Sequence, residues 1–223
     1  MIDYYDVLFA DLEGTELYFE FLNSHIKGHN ILEFACGTGD LLNRLSSEYQ
    51  VTGIDISEDM IDILKIKYPH LADKVHVGDF LSHRSNVKYD SVICVGDSLN
   101  YILDEEDLKR FVETSTRLSD TIIVDFHHPY RITEFNEGYF EEGSTDSFDY
   151  NYIIELNGDY LIHTINFLDG NFEQVSQWVF EPNQLIELFE KQGYLVKIYT
   201  DFDYPGLLDE GEKVFCVFER KSI

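Results

Sequence analysis

Short apolar runs alternate with helix-period patterns along the first part of the chain. The apolar runs predict strands over 30–35, 49–54, 74–77, 91–95 and 121–126, and helices are predicted over 40–48, 58–67 and 104–118. Strands that alternate with helices at this spacing favour a parallel sheet covered by helices. Residues 121–124 (TIIV) form an almost unbroken apolar run, which is typical of a sheet buried on both faces. This part therefore predicts an α/β fold with a Rossmann-like, doubly wound sheet.

A two-residue alternation replaces this pattern in the second part of the chain. Phe148, Tyr150 and Tyr152 alternate with polar residues, and Asn-Gly at 157–158 and Asp-Gly at 169–170 are hairpin signals. We therefore expect a three-stranded antiparallel meander that is inserted over 127–181, after the fifth strand of the main sheet.

The position of this insert suggests two roles. It follows the carboxyl end of a strand, which is the edge where open α/β sheets bind ligands. It can cover a substrate pocket or form a dimerisation surface.

A helix over 184–192 and strands over 194–200 and 213–219 complete the chain. With 223 residues, the chain is long enough for one elaborated domain, so we expect 1–223 to be a single domain.

The charge of the chain narrows the range of partners. It has 43 Asp and Glu residues against 16 Lys and Arg residues, which gives a net charge of −27. Phosphate backbones are bound by Lys and Arg, and the sequence shows no basic stripe, so we expect no nucleic-acid partner. The field favours cationic ligands, a protonated amine among them. Solubility alone also explains such acidity.

The sequence shows no pattern typical of a membrane span, a signal peptide or a cysteine-based site. No apolar stretch approaches the roughly 20 residues of a membrane span, and the acidic N-terminus lacks a signal peptide's basic start. We expect a cytoplasmic protein with no membrane partner, as a monomer or a homodimer. Cys36, Cys94 and Cys216 lie far apart, so they indicate buried, reduced thiols and neither a metal site nor a redox motif.

A glycine turn after the first strand is the strongest chemical signal. Residues 31–40 read ILEFACGTGD, so an apolar strand stops at a Gly-Thr-Gly turn and a helical pattern begins at once. Glycine lets the backbone turn tightly and approach a ligand closely. The dinucleotide pattern G-x-G-x-x-G fails at its third glycine, where Leu42 stands. This disfavours a nicotinamide oxidoreductase.

Four segments resemble, in order, the motifs of the class I S-adenosylmethionine-dependent methyltransferases. They are EFACGTG at 33–39, VTGIDIS at 51–57, VHVGDF at 75–80 and YDSVICVGDSLN at 89–100. The resemblance covers roughly residues 30–126. It implies a seven-stranded, mostly parallel sheet whose last strand is antiparallel. The insert is similar to the small sheet that covers the acceptor pocket in N-methyltransferases of glycine and of amino sugars.

This resemblance implies S-adenosylmethionine as the cofactor and suggests which residues hold it. Asp55 matches the acid that binds the ribose, Asp79 and Phe80 match the residues that meet the adenine, and Glu33 matches the acid that orients the first loop. The expected cofactor contacts are Glu33, Phe34, Ala35, Cys36, Gly37, Gly39, Asp55, Ile56, Met60, Gly78, Asp79, Phe80, Val95 and Tyr5. Four aromatic residues are candidates for a lid over the cofactor: Tyr4, Tyr5, Tyr18 and Phe19.

The acceptor is expected beside the ends of the fourth and fifth strands. The candidate catalytic residues there are Asp97, Asn100, Tyr101, His127 and His128. Positioning supplies much of the rate of an in-line methyl transfer, and a base is needed only for a protonated or weakly nucleophilic acceptor. A histidine can take that proton near neutral pH, and strand alternation predicts that only one of the two reaches the pocket.

These observations favour a methyltransferase that acts on a small molecule, with an amine nitrogen as the acceptor. Residues 96–100 (GDSLN) lack the two prolines of nucleobase N-methylases, which disfavours an rRNA or tRNA substrate. The alternatives are an RNA or protein methyltransferase and a non-catalytic cofactor-binding protein. The sequence does not name the acceptor.

Overall fold

The computed structural model describes residues 5–167 and 170–221. Its helices are α1 (Tyr5–Phe9), α2 (Leu12–His25), α3 (Asp40–Leu45), α4 (Glu58–Lys67), α5 (Glu105–Leu118), α6 (Tyr130–Glu134) and α7 (Pro182–Lys191). Its strands are β1 (Asn30–Phe34), β2 (Gln50–Asp55), β3 (Val75–Val77), β4 (Ser91–Cys94), β5 (Thr121–His127), β6 (Tyr139–Ser144), β7 (Asp149–Asn157), β8 (Tyr160–Phe167), β9 (Phe172–Trp178), β10 (Tyr194–Thr200), β11 (Tyr204–Pro205) and β12 (Lys213–Arg220). Short 3-10 turns lie at Pro69–Lys74 and Ser98–Tyr101.

The central sheet has the strand order β11-β10-β12-β5-β4-β1-β2-β3. Strands β1 to β5 pair in parallel, and β12 runs antiparallel between β5 and β10. The predicted fold class is confirmed, including the antiparallel last strand. The two-residue strand β11 pairs with β10 at the edge, so the sheet has eight strands where seven were predicted.

A second, antiparallel sheet lies in the chain between β5 and α7. Its order is β6-β7-β8-β9, so the prediction of three strands was wrong by one. The strand that was not predicted is β6, which pairs with β7 from Tyr139 opposite Ile154 to Ser144 opposite Asp149. Five of its six residues are exposed. An edge strand with no buried face leaves no apolar alternation in the sequence, so its pattern could not be recognised.

Both faces of the central sheet are buried, because successive side chains of each strand point to opposite faces. On one face, Leu32 of β1 packs in a cluster with Phe111 of α5. On the other, Ile31 packs in a cluster with Leu22 of α2. Burying one such side chain stabilises the fold by roughly 1.5–3 kcal/mol. The two layers hold the carboxyl ends of the parallel strands at one rigid edge.

Side-chain caps and loop geometry set the helix limits near this edge. The Asp104 side chain accepts a hydrogen bond from the backbone N–H of Asp107 and starts α5, and Ser57 accepts one from Met60 and starts α4. Helix α3 ends at Leu45, three residues before the predicted end, because residues 46–48 form a turn. Cys36, Cys94 and Cys216 are buried and free, as expected. Among the described residues, no helix is both long and apolar enough to cross a bilayer.

Candidate active site

A cleft of about 240 Å³ opens at the carboxyl ends of β1 and β4. The loops that follow these two strands form one wall, and they contribute Gly37 and Gly96. Helices α1 and α2 form the opposite wall, to which Phe9 and Tyr18 belong. The side chain of Glu33, inside β1, closes the floor. The cleft therefore lies where an open α/β sheet presents its strand ends to a ligand.

The glycine turn adopts the conformations that its residue types predict. Gly37 and Gly39 have φ values of 52° and 88°, in the left-handed region that only glycine enters without strain. At Gly39 an added Cβ would lie 2.5 Å from Cγ of Leu64, so the position also requires a missing side chain. At Gly37 an added Cβ would meet nothing within 4 Å. The backbone there is open to the cleft.

Asp55, at the end of β2, fixes the position of this turn. Its Oδ2 accepts a hydrogen bond from the N–H of Gly37 at 2.8 Å, and its Oδ1 accepts one from the N–H of Ser57 at 2.9 Å. The carboxylate thus connects the glycine turn to the start of α4. Each carboxylate oxygen can accept a second hydrogen bond, so Asp55 retains capacity for a ligand hydroxyl.

Glu33 carries an oxygen that no group of the described residues satisfies. The residue is 4% exposed, and its Oε2 has no hydrogen-bond partner among the described residues. Burial, and secondly the nearby charge of Asp55, raise the pKa of the Glu33 carboxyl well above its usual value. A buried oxygen without a partner is costly unless a ligand supplies a donor. The floor of the cleft is therefore suited to a ligand with N–H or O–H groups.

The ends of β2 and β3 form an apolar shelf beside the cleft. Ile56 follows β2 and is 75% exposed, although it is a large apolar residue. Phe80 is half-buried and packs edge-on against Phe111, with ring centroids 5.7 Å apart. The Oδ1 atom of Asp79 accepts from the N–H of Leu81 at 2.8 Å, so it shapes the loop between them.

The predicted cofactor contacts thus fall into three groups. Six line the cleft: Glu33, Ala35, Cys36, Gly37, Gly39 and Val95. Six lie at or beyond the ends of β2 and β3: Asp55, Ile56, Met60, Gly78, Asp79 and Phe80. The side chain of Phe34 is fully buried in the core and is not among the residues that line the cleft, so its cofactor contact stays a prediction. Tyr4 and the side chain of Tyr5 lie outside the described residues. Tyr18 lines the cleft, and Phe19 is buried in the core.

A network of charged side chains lies directly behind the cleft. Asp97 follows β4 with a left-handed φ of 60°, and its carboxylate pairs with the ammonium of Lys213. The Lys213 Nζ atom also lies 3.5 Å from Oδ2 of Asp125, which is fully buried. The same Oδ2 accepts a hydrogen bond from the hydroxyl of Tyr18 at 2.5 Å. Sequence reasoning missed Lys213 and Asp125 entirely.

The pKa shifts in this network follow from burial and charge. Burial raises the pKa of Asp125, and Lys213 offsets only part of this effect. For Asp97 burial acts in the same direction, but Lys213 and His127 outweigh it and lower the pKa. Burial alone would lower the pKa of Lys213, yet the two carboxylates raise it above its usual value. Asp97 is therefore ionised at neutral pH.

His127 brings a neutral imidazole next to this carboxylate. Burial lowers the pKa of His127. Its Nε2 lies 2.7 Å from Oε1 of Gln177, a carbonyl oxygen that can only accept, so the ring proton sits on Nε2. Its Nδ1 then carries a lone pair and lies 3.6 Å from Oδ1 of Asp97. Two acceptor atoms thus face each other, and the Asp97 oxygen also accepts from the ammonium of Lys213.

The antiparallel sheet supplies the rest of the polar surroundings. Gln177 of β9 contacts His127, and the rings of His127 and His163 of β8 stack with centroids 6.5 Å apart. The hydroxyl of Tyr152 of β7 lies 2.6 Å from Nδ1 of His163. Tyr101, from the loop after β4, is half exposed. The loop after β4, the end of β5 and the antiparallel sheet thus meet at one place.

Asn100 and His128, two of the predicted catalytic residues, are held by hydrogen bonds to other protein groups. The Asn100 side chain is fully buried, donates to the carbonyl of Trp178 at 2.7 Å and accepts from the N–H of His127 at 2.9 Å. His128 has its Nδ1 3.1 Å from the N–H of Tyr130 and its Nε2 3.1 Å from the carbonyl oxygen of Leu208. Neither side chain has a free polar atom for an acceptor. His127 and His128 therefore have different surroundings, and the expectation that only one of them reaches the acceptor stays a prediction.

Comparisons with known proteins agree with this geometry. A sequence model described as a methyltransferase domain matches residues 31–120. A predicted methyltransferase of Geobacillus sp. (strain WCH70) is 27% identical over 213 residues, which cover 85% of this chain and 84% of the relative. The crystal structure of an S-adenosylmethionine-dependent methyltransferase from Clostridium acetobutylicum superposes with a TM-score of 0.83 at 18% identity, over 98% of this chain and 96% of that one. The chain therefore carries a region similar to the methyltransferase domain over residues 31–120 and has the fold of S-adenosylmethionine-dependent methyltransferases.

A sugar N-methyltransferase from Streptoalloteichus sp. ATCC 53650 shares the same fold. Its structure superposes with a TM-score of 0.74 at 18% identity, and the match covers 93% of this chain and 87% of that one. A match of that extent takes in residues of both sheets, so the two-sheet arrangement is common to both proteins.

The residues of the cleft fit S-adenosylmethionine, which structures of the same fold contain. The unpartnered Oε2 of Glu33 suits the amine of the methionine part, and the open backbone at Gly37 suits its close approach. The exposed Ile56 gives an apolar contact surface for the adenine at the shelf. The fit rests on these unsatisfied or exposed groups, because each gains a partner when the cofactor binds.

Proposed function

We propose that this protein is an S-adenosylmethionine-dependent methyltransferase that transfers a methyl group to an amine nitrogen of a small molecule. S-adenosylmethionine supplies a methyl group on a sulfonium, which needs little activation by the protein. The remaining requirement is a deprotonated amine, held in line with that methyl group. Most aliphatic amines are protonated at neutral pH, so the protein has to attract the ammonium and remove one proton.

One observation carries the amine assignment. The carboxylate of Asp97 and the lone pair of His127 Nδ1 lie 3.6 Å apart, and both are hydrogen-bond acceptors. An ammonium group satisfies both, because it offers several N–H donors and a positive charge. Asp97 attracts the charge, and neutral His127 takes the proton.

The pair also stands at the correct place in the molecule. Gly96 and Ser98, the chain neighbours of Asp97, line the cofactor cleft. An amine bound between Asp97 and His127 therefore lies next to that cleft. The two-sheet fold shared with a sugar N-methyltransferase supports the same conclusion, since that protein methylates nitrogen.

A panel of acceptors and one variant test this function. Amines, alcohols and thiols are offered with S-adenosylmethionine, and the release of S-adenosylhomocysteine is measured. We expect turnover with amines only, and we expect His127→Asn to lower kcat by roughly 10²–10⁴-fold, the usual contribution of a general base. The affinity for S-adenosylhomocysteine, measured by calorimetry, stays unchanged in that variant. His70→Asn, at an exposed position away from the site, serves as the matched control.

Two results would contradict the proposal. Full activity of the His127→Asn variant would remove the base from the mechanism. Turnover of RNA or of a protein, with no turnover of any amine, would favour the alternative substrate classes. The cytoplasmic location, the monomeric or homodimeric state and the absence of a nucleic-acid partner stay predictions alongside this proposal.

A further inference from the structure

Two buried nitrogen atoms beside the proposed amine site have no hydrogen-bond partner. They are Nε of Arg131 and Nε2 of His163, and no described residue satisfies either one. Buried polar groups of native proteins are almost always paired, so each such atom requires an explanation. Because the two belong to the same polar region, one ligand group can explain both.

Arg131 stands on α6, directly after β5. Its side chain is 17% exposed, and its Nη1 donates to Oε2 of Glu134 at 2.6 Å. The guanidinium lies 4.6 Å from the ring centroid of Phe135. Its charge also acts on the acceptor region. It acts to lower the pKa of Tyr152, which burial raises, and it adds to the lowering of the His163 pKa by burial. The free Nε–H is thus a cationic donor without an acceptor.

His163 offers a second donor at the same place. Burial lowers its pKa to about 4, so the ring is neutral at pH 7. Its Nδ1 lies 2.6 Å from the hydroxyl of Tyr152, whose pKa is raised to about 12 by burial, so this phenol stays protonated and donates to Nδ1. The ring proton then sits on Nε2. Gln177 lies beside the ring and acts to raise the His163 pKa, but its Oε1 is engaged by His127 at 2.7 Å, and His163 Nε2 has no partner with full hydrogen-bond geometry among the described residues.

We propose that Arg131 and His163 bind an oxyanion carried by the methyl acceptor. The acceptor is then a compact zwitterion, an amine that also bears a carboxylate or a phosphate. Its amine lies between Asp97 and His127, and its oxyanion accepts hydrogen bonds from Arg131 Nε and His163 Nε2. The identification of the amine end rests on the proposed function, whereas the anion site rests only on the two unpartnered donors.

Size and charge support this assignment. The rings of His127 and His163 stack with centroids 6.5 Å apart, so the two ends of the ligand are separated by the length of a small molecule. The chain carries a net charge of −27, so an anion needs a dedicated cation to enter the site. Arg131 supplies that cation, and a charge-assisted hydrogen bond is stronger than a neutral one.

The first experiment tests anion binding without any methyl transfer. The full chain, saturated with S-adenosylhomocysteine and labelled with ¹⁵N, is titrated with inorganic phosphate and, separately, with acetate. We expect the signals of Arg131 Nε–H and His163 Nε2–H to shift with at least one of the two anions, and the effective anion identifies phosphate or carboxylate as the group. Arg131→Gln weakens the binding by about tenfold to a hundredfold.

Two variants keep this result interpretable. Arg84→Gln, at an exposed arginine in a cleft lined by Leu81, Arg110 and Arg117, is the matched control and leaves the binding unchanged. Arg131→Lys keeps the charge but removes the Nε–H, so it also weakens binding and replaces the Gln variant if that one does not fold. No shift of either signal with either anion would overturn the proposal, as would binding that Arg84→Gln abolishes and Arg131→Gln leaves intact.

The second experiment separates this proposal from the proposed function. Pairs of amines that differ only in an anionic group, such as an amino acid and its amide, are compared for S-adenosylhomocysteine release. We expect kcat/KM to favour the anionic member, and Arg131→Gln to remove that preference while the KM for S-adenosylmethionine stays constant. Equal turnover of both members overturns the anion site and leaves the amine assignment standing. Anion binding in the first experiment without turnover of any amine contradicts the proposed function and leaves the anion site standing.

Discussion

The replacement of Lys213 by methionine is the sharpest test of the network behind the cleft. The Lys213 side chain is 18% exposed, pairs with Asp97 and lies 3.5 Å from Asp125, which is fully buried. Methionine fills a similar volume but removes the charge, so Asp125 is left in the core without a cation. Breaking a buried pair from one side costs roughly 3–5 kcal/mol, because the remaining charge is uncompensated.

The structure indicates that the loss in the free energy of unfolding lies at the low end of that range. The Tyr18 hydroxyl at 2.5 Å and the Asp97 N–H at 3.1 Å still donate to Asp125 in the variant. We therefore expect the free energy of unfolding to fall by about 3 kcal/mol at pH 8, out of a total of about 5–15 kcal/mol for a domain. Urea unfolding followed by the fluorescence of Trp178, the single tryptophan, measures it.

The pH dependence of this loss has a defined sign. Burial already raises the pKa of Asp125, and Lys213 is the main group that lowers it, so the variant raises the pKa further. A carboxyl whose pKa is raised on folding binds its proton more tightly in the folded state, so stability increases as the pH falls through that pKa. The difference between the two proteins should therefore shrink as the pH is lowered from pH 8.

Lys197→Met is the control for this experiment. Its ammonium lies 3.2 Å from Glu219, but the two side chains are 55% and 32% exposed. A surface pair of this kind contributes at most about 1 kcal/mol. The reasoning is refuted if Lys213→Met costs no more than Lys197→Met, or if its cost grows as the pH is lowered.

The remaining predictions concern the cofactor, the base and the partners. Asp55→Ala should weaken S-adenosylhomocysteine binding by about tenfold to a hundredfold in calorimetry, because both carboxylate oxygens hold the binding loops and one of them is the expected ribose acceptor; unchanged affinity in the folded variant removes this role. The acid limb of kcat/KM should fall at a pH below 6.5, since burial lowers the pKa of His127 and a more acidic solution protonates the base; a limb above that value contradicts the assignment. Gel-shift assays at low salt should show no binding to tRNA or duplex DNA, because a net charge of −27 repels phosphates, and tight binding with a steep salt dependence would overturn this expectation.

The cofactor half of the candidate site could be proposed from the sequence because its residues lie in short local motifs. Two glycines in the sequence predict the turn at residues 35–39, and both adopt left-handed φ values in the structure. The side chain of Asp55 reaches this turn from the next strand, which the parallel pairing of β1 and β2 brings alongside. Strand order and a local motif were sufficient there.

The acceptor half depends on pairings over long stretches of chain. Lys213 contacts Asp97 across 116 positions, and no local pattern connects them. A signal did exist, because a lysine stands directly before the apolar residues 214–218 of the last strand, and the antiparallel β12 places it opposite His127. The roles of His163 and Tyr152 depend on how the antiparallel sheet sits on the core, which periodicity does not encode.

The contacts between the two sheets also decide which substitutions act on which ligand. Asn100 ties the loop after β4 to the carbonyl of Trp178, and the Tyr160 hydroxyl donates to the carbonyl of Leu103 at 2.9 Å, so the antiparallel sheet is fixed to the acceptor loop at two points. Helix α1 is instead held to the glycine turn, where Thr38 donates to Asp6 at 2.6 Å. Changes at the junction of the two sheets therefore displace the acceptor groups, and changes at α1 displace the cover of the cofactor cleft. Separate assays of cofactor affinity and of acceptor turnover distinguish the two classes of substitution, because the two sets of contacts share no residue.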